Sequence, residues 1–249
     1  MGKKKLSSER GSFKSSNKKE NKKNLTAMAL AIFIVLMLVL SSVYIIASNF
    51  GDSDNSQNSE NNYTNDPGYI SALANTQYPV AVLETSKGAI AVELYDDKVP
   101  NTCQNFINLV KDNFYTNLVF HRVANIYSTY PDRYIIQGGG FDREGNKKES
   151  PFGTIDLEIN EDVRHVDGAI SMARTDDPNS ATSQFYICDG VHDFLDDNYA
   201  AFGKVIYGMD VVQEIAGVST GTKTLPSGQP MSNWPKEEII TNKIIMVKE

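Results

Sequence analysis

A mainly β domain, built as one closed or nearly closed antiparallel sheet with helices over its ends and preceded by a single transmembrane helix, is the fold this sequence predicts. Three observations carry that reading. Short apolar runs separated by turn residues fill the chain from Tyr78 onward, two segments have the spacing of an amphipathic helix, and one long uncharged apolar run lies near the N-terminus.

Residues 1–24 are a basic cytoplasmic tail, with nine Lys and Arg against Glu9 and Glu20, a balance of +7. The whole chain carries −7, which leaves −14 on the other 225 of its 249 residues. So acidic a body excludes a nucleic-acid groove, which needs clustered positive charge on the folded domain itself. The apolar run from Ala27 to Ala47 has 21 residues without a charge. As a helix it would be about 31 Å long, which matches the hydrocarbon core of a bilayer. A transmembrane anchor is therefore assigned to residues 25–48. A cleaved signal peptide fits less well, because its apolar stretch is roughly 7 to 15 residues and ends in an A-x-A-like site. The basic tail sets the direction: a single-pass protein of the cell membrane, N-terminus cytoplasmic, C-terminal domain extracytoplasmic. Residues 49–77 are rich in Asn, Ser, Asp and Gln, with Asp66-Pro67-Gly68 as a turn signal, and read as a flexible polar linker.

The domain at 78–249 opens on Val80-Ala81-Val82-Leu83 and Ala89 to Leu94 around Thr85-Ser86-Lys87-Gly88, the pattern of a β-hairpin. Pro100 sits where a helix can start, and Cys103, Phe106, Ile107 and Val110 form one helical stripe. Further strands are predicted at Leu118 to Val123, Tyr134 to Gln137, Ala169 to Ala173, Phe185 to Cys188, Ala200 to Val205 and Lys243 to Val247. A second helix is predicted from Met209 to Ala216, closed by Gly217. Cys103 and Cys188 are too few for a disulfide framework or a cysteine zinc site and read as two small buried thiols.

The chemistry-bearing inventory is thin. There are three histidines, no G-x-S-x-G elbow and no H-E-x-x-H pair. Gly140 to Lys147 imitates a phosphate loop but carries Asn146 where Lys is required, and reads as a turn. His192, Asp193, Asp196 and Asp197 share no common face and read as a solvated acidic loop. No metal and no cofactor is expected.

What stands out is a combination: Phe120-His121-Arg122-Val123, Ile135-Ile136-Gln137-Gly138-Gly139, Ser171-Met172-Ala173-Arg174, Ser183-Gln184-Phe185-Tyr186-Ile187 and Phe202-Gly203-Lys204-Val205. In this order the segments resemble the cyclophilin family of peptidyl-prolyl isomerases, and with the opening hairpin they span residues 78–249. The resemblance implies a closed eight-stranded antiparallel β-barrel capped by two α-helices, with a substrate groove on its outer face. It implies that Arg122 is the catalytic arginine, with Gln137 beside it and Gln184 in the groove. Tyr134, Ile135, Tyr186 and Leu195 match the apolar wall of a proline pocket, and Ala173 and Arg174 the residues that line the peptide backbone. Phe194 and Tyr199 fall where many eukaryotic members carry Trp and His. His121 and His165 read as structural, each hydrogen-bonded near a strand end.

These residues suit one reaction. Rotating an X-Pro amide crosses a barrier of roughly 18 to 20 kcal/mol because planarity is lost midway. The prolyl nitrogen then becomes pyramidal and accepts a hydrogen bond, so a fixed guanidinium stabilises that state above either planar one. The expected partners are proline-containing polypeptides, met outside the cytoplasm by a monomeric domain. Three departures from the family pattern matter. The chain is longer than usual between Arg122 and Gln137, from Ala124 to Arg133. Tyr186 replaces Phe and brings a hydroxyl that needs a partner, so reduced activity is expected. Phe194 replaces Trp, so weak cyclosporin binding is expected. The competing reading is a proline-peptide-binding chaperone or scaffold with little or no activity.

Overall fold

The computed structural model describes residues 63–127 and 129–249. The expected basic tail at 1–24, the anchor at 25–48 and the linker as far as residue 62 lie outside the described residues. Among the described residues no helix is long and apolar enough to cross a membrane.

The rest of the expected linker is not coil. Tyr63–Asn65 is a 3-10 turn and Pro67–Asn75 is a helix, α1. Asp66 is its N-cap, its carboxylate accepting from Gly68 N at 2.6 Å, and Pro67 occupies the first turn, where a missing N–H costs nothing. The signal read as a turn is a helix start.

The opening hairpin is β1 (Val80–Thr85) and β2 (Gly88–Leu94), paired antiparallel in uninterrupted register. Its two faces are both buried. Ala81, Leu83, Ile90 and Val92 join the main core, while Val80, Val82, Ala89 and Ala91 pack with Tyr69 of α1. Tyr69 stands edge-on to Tyr63 at 5.1 Å and to Tyr207 at 5.5 Å. Tyr63 Oη donates to Glu84 Oε1 at 2.6 Å, which ties the start of the described chain to β1.

The predicted helix is α2 (Pro100–Lys111), with Cys103, Phe106 and Val110 of the stripe buried. Val99 offers no side-chain cap, and Glu158 supplies one from a distance, accepting from Thr102 N and Thr102 Oγ1 at 2.8 Å each. Cys103 and Cys188 are free and buried. The remaining elements are β3 (Leu118–Val119), β4 (Arg122–Ala124), β5 (Tyr134–Gly138), β6 (Ala169–Met172), β7 (Phe185–Asp189), β8 (Ala201–Tyr207), α3 (Met209–Ala216), β9 (Thr220–Thr224), β10 (Pro230–Pro235) and β11 (Ile240–Lys248).

The expected closed barrel of eight strands with two helices needs correction. Among the described residues nine strands form one curled antiparallel sheet, a half-barrel in the order β3-β11-β1-β2-β8-β6-β7-β5-β4, with three α-helices and a separate β9–β10 hairpin. The strand predicted from Leu118 to Val123 is two strands because it serves both sheet margins: β3 pairs with β11 and β4 with β5. Between them Phe120 N donates to Ile239 O at 2.9 Å and His121 N to Gln137 O at 3.0 Å. Covalent chain, not a ladder, crosses the seam. The β9–β10 hairpin packs Trp234 near Phe141 and His121 over that seam, with centroids 6.1 Å apart in both cases.

Candidate active site

Strand register sets the site out in rows. Arg122 on β4 pairs with Gln137 on β5, Gln137 with Tyr186 on β7, and Tyr186 with Ser171 on β6. The neighbouring row on that face runs through Ala124, Ile135 and Cys188. Side chains alternate along a strand, so the intervening Val123, Ile136, Ile187 and Ile170 fill the main core and these rows face outward.

Two assemblies occupy the outer face. One is apolar: Ala124, Ile135, Ala169, Tyr186, Cys188 and Leu195, with Ile126, Ala173 and Tyr199 packed against them. The other is a line of polar side chains. Arg122 Nη1 donates to Gln137 Oε1 at 3.2 Å, and Gln137 Nε2 donates to Gln184 Oε1 at 3.0 Å. Burial pushes the Arg122 guanidinium down from its ordinary value, yet it starts so far above neutrality that it stays charged. Gly140 makes room for this line, since a Cβ there would lie 2.5 Å from Gln184 Cγ and 2.6 Å from its Cδ.

The Tyr186 hydroxyl turns inward, away from the apolar surface. It lies 3.0 Å from His165 Nε2, which is also 3.0 Å from Ser171 Oγ. His165 Nδ1 is 2.8 Å from Asp196 Oδ1, and that carboxylate oxygen also accepts from the His165 backbone N at 2.7 Å. A carboxylate can only accept, so Nδ1 carries the proton and Nε2 is the acceptor for the hydroxyls. Arg164 Nε approaches Asp196 Oδ2 to 2.8 Å as an ion pair. Burial holds His165 below its ordinary value against the pull of Asp196, and raises Tyr186 well above its own. The imidazole is neutral and the phenol un-ionised at neutral pH. The array has the residues of a nucleophilic triad, but Ser171 and His165 are fully buried, so no substrate reaches them.

The structure thus brings together Arg122, Gln137 and Gln184 by hydrogen bonds, and Ile135, Ala173, Tyr186, Leu195 and Tyr199 by packing. Arg174 lies beside them, its guanidinium 4.5 Å above the Tyr199 ring and its Nε donating to Asn198 O at 2.9 Å. Phe194 stands at the rim, its ring exposed. Tyr134 is not in the apolar cluster. It is half-buried against the main core, and its carbonyl accepts from His192 Nε2 at 3.0 Å. His192 and Asp196 thus face different partners, but both are buried, so the segment expected to be a solvated acidic loop is exposed only at Asp193 and Asp197 of the four. Asp142 with Asn146 closes the phosphate-loop mimic as a turn. Sequence reasoning missed Ser171 and Asp196 as the support of Tyr186, and Gly140 as the space for Gln184. A phenol on a strand with buried neighbours was the available signal, because it requires a partner.

Residues 80–242 match the family model for cyclophilin type peptidyl-prolyl cis-trans isomerase/CLD. The chain belongs to this family. The peptidyl-prolyl cis-trans isomerase of Acinetobacter baylyi is 42% identical over 183 residues, 71% of this chain and 87% of that protein. Peptidyl-prolyl cis-trans isomerase B of Escherichia coli is 35% identical over 173 residues, 66% of this chain and 98% of that protein. A Cryptosporidium parvum cyclophilin type isomerase, solved in the presence of the dipeptide Ala-Pro, superposes with a TM-score of 0.54 at 26% identity, covering 68% of this chain and 99% of that one. This cyclophilin is therefore of the peptidyl-prolyl cis-trans isomerase enzyme class.

Proposed function

We propose that this cyclophilin speeds rotation about X-Pro bonds in exported or surface polypeptides, with Arg122 as the catalytic residue. The observation that carries the reading is the placement of one charged, half-buried guanidinium in the same sheet row as Tyr186, with Gln137 fixing its orientation. A prolyl ring seated on Ile135, Tyr186 and Leu195 sheds water at the reacting amide. As the amide twists and loses resonance, its nitrogen lone pair becomes the acceptor for an Arg122 N–H. No bond is made or broken, so the rate gain is differential binding of the twisted state. By analogy with oxyanion donors, one such contact contributes about 3 to 4 kcal/mol. Gln184 holds Gln137 and borders the peptide path, and Ala173, Arg174, Phe194 and Tyr199 flank the pocket.

The extracytoplasmic setting rests on the basic tail and the uncharged run from Ala27 to Ala47, which support an inside-to-outside topology for a monomeric domain tethered to the membrane. There, X-Pro isomerisation, uncatalysed in tens to hundreds of seconds, limits folding of newly exported chains. The test is a proline-peptide isomerisation assay on the full-length protein and on Arg122→Ala, with a loss of about 100- to 1000-fold in kcat/KM expected. Equal rates for the two proteins would sink the catalytic reading in favour of a proline-binding scaffold. Topology is tested by adding protease to intact cells: digestion of the C-terminal domain is expected, and protection until the membrane is opened would overturn it.

A further inference from the structure

Next to the apolar cluster the chain leaves a row of aromatic rings in solvent. Tyr127, Tyr130 and Phe194 are 44%, 42% and 41% exposed. Tyr127 is the middle ring, 5.1 Å from Phe194 and 5.4 Å from Tyr130 between centroids, with 30° between planes in both pairs. The Arg133 guanidinium sits 3.8 Å above the Tyr130 ring and closes the far end. Within the loop, Asn125 Nδ2 donates to Tyr130 O at 2.7 Å and Tyr127 N donates to Asn125 Oδ1 at 3.0 Å. Tyr127 and Tyr130 are thus held by their own loop, Phe194 by stacking on Tyr127 and by the His192 ring 5.8 Å away, and none of the three enters the main core.

Both roots of the row lie in the apolar cluster. Ile126, directly before Tyr127, packs against it, and Leu195, directly after Phe194, belongs to it. The row is therefore continuous with the surface on which the target proline would sit. An extended peptide advances about 3.3 to 3.6 Å per residue, so ring spacings of 5.1 and 5.4 Å put the row within reach of about three residues. Contiguous exposed rings next to a binding surface mark a contact area. The ring faces carry partial negative charge and attract the positive edges of another aromatic ring.

We propose that Tyr127, Tyr130 and Phe194 form a subsite of this cyclophilin for client residues flanking the target proline, and that it selects clients with an aromatic residue within about three positions of that proline. The proposal rests on the preceding reading only in that the proline occupies the Ile135–Tyr186–Leu195 surface. It gives the longer segment from Ala124 to Arg133 a task in substrate choice, separate from the rotation step at Arg122.

The test measures binding of peptides to the full-length protein by titration calorimetry, independently of turnover. One peptide has a central proline flanked by alanines, and the others carry a single Phe at each of three positions on either side. At one or more positions Phe is expected to tighten binding about 3- to 10-fold. In Tyr127→Ala/Tyr130→Ala that ratio falls to about one, and in Tyr127→Phe/Tyr130→Phe it is retained, which separates ring stacking from loss of loop structure. A ratio near one at every position in the wild type, or a ratio undiminished in the alanine variant, overturns the proposal. An active isomerase without preference sinks the subsite alone. A protein with the preference but no isomerase activity keeps the subsite and sinks the catalytic reading.

Discussion

The two faces of strands β4 to β7 are built from alternate residues of the same short segments, yet they do opposite work. Inward, Val123, Ile136, Ile170 and Ile187 are interchangeable in kind: apolar, buried, each valued for volume. Outward, Arg122, Gln137, Tyr186 and Ser171 are valued for where a particular atom points. The inner face therefore fixes the positions of the outer one, because neighbours on a strand cannot shift register independently.

Among substitutions on the outer face, Arg122→Ala is expected to have the largest effect. On the inner face, Ile136→Ala should lower unfolding stability by about 3 kcal/mol through lost burial and a residual cavity, read by chemical denaturation. Its kcat/KM should stay within a few-fold of wild type where the protein remains folded. If activity fell as far as in Arg122→Ala, the division of labour would be wrong.

Acid acts on the buried side. Burial pushes His121 down to about 4, against opposing contacts from Val119 and Gln184. The unfolded chain therefore binds the proton first, near 6.5, and the folded protein only near 4, so stability is lost as pH falls through that window. The loss assigned to His121 is about 3 kcal/mol. His165 and His192, also lowered by burial, act in the same direction. Urea unfolding at pH 7 and pH 4.5 should show this decline, and His121→Gln should flatten it.

Gly140→Ala sharpens the contrast on the outer face, since the added methyl displaces Gln184 while the backbone there is unstrained. About a tenfold drop in kcat/KM is expected with little change in stability, a shift of about 1.4 kcal/mol in transition-state binding. The smallest effect is expected from Tyr186→Phe. It removes a buried hydroxyl from His165 but leaves the ring, so stability should fall by about 1 kcal/mol and activity should hardly move. The reduced activity expected of Tyr186 from the sequence is given up because its hydroxyl already has a buried partner. A large gain in activity would show that the hydroxyl spends time in the pocket.

Much of this was legible in the sequence, for reasons that differ between elements. The α2 and α3 helices and the strands lining the site announce themselves because one of their faces is apolar. The β9–β10 hairpin does not, since no residue of Thr220–Thr224 is buried, only Trp234 and Pro235 of Pro230–Pro235 are, and neither strand alternates apolar with polar residues. Helix α1 was hidden in polar company, though β1 and β2 held a clue. Val80 to Leu83 and Ala89 to Val92 are apolar at every position, which requires a cover on the outer face as well as the inner. At the site, the motif positions resemble the family closely enough to name nearly all of the assembled residues. The placement of Tyr134 against the core, the support beneath Tyr186 and the aromatic row depend on packing that no motif encodes.

The strip from Leu118 to Ala124 works as a clasp, engaging β11 with its first residues and β5 with its last. A protease nick between Val119 and Arg122 would undo both fastenings together and leave two bare strand margins ready to recruit other chains. Since Arg122, the residue proposed to act on the twisted amide, rides on the clasp, that proposal makes loss of turnover the earliest sign of such damage, ahead of any visible precipitation.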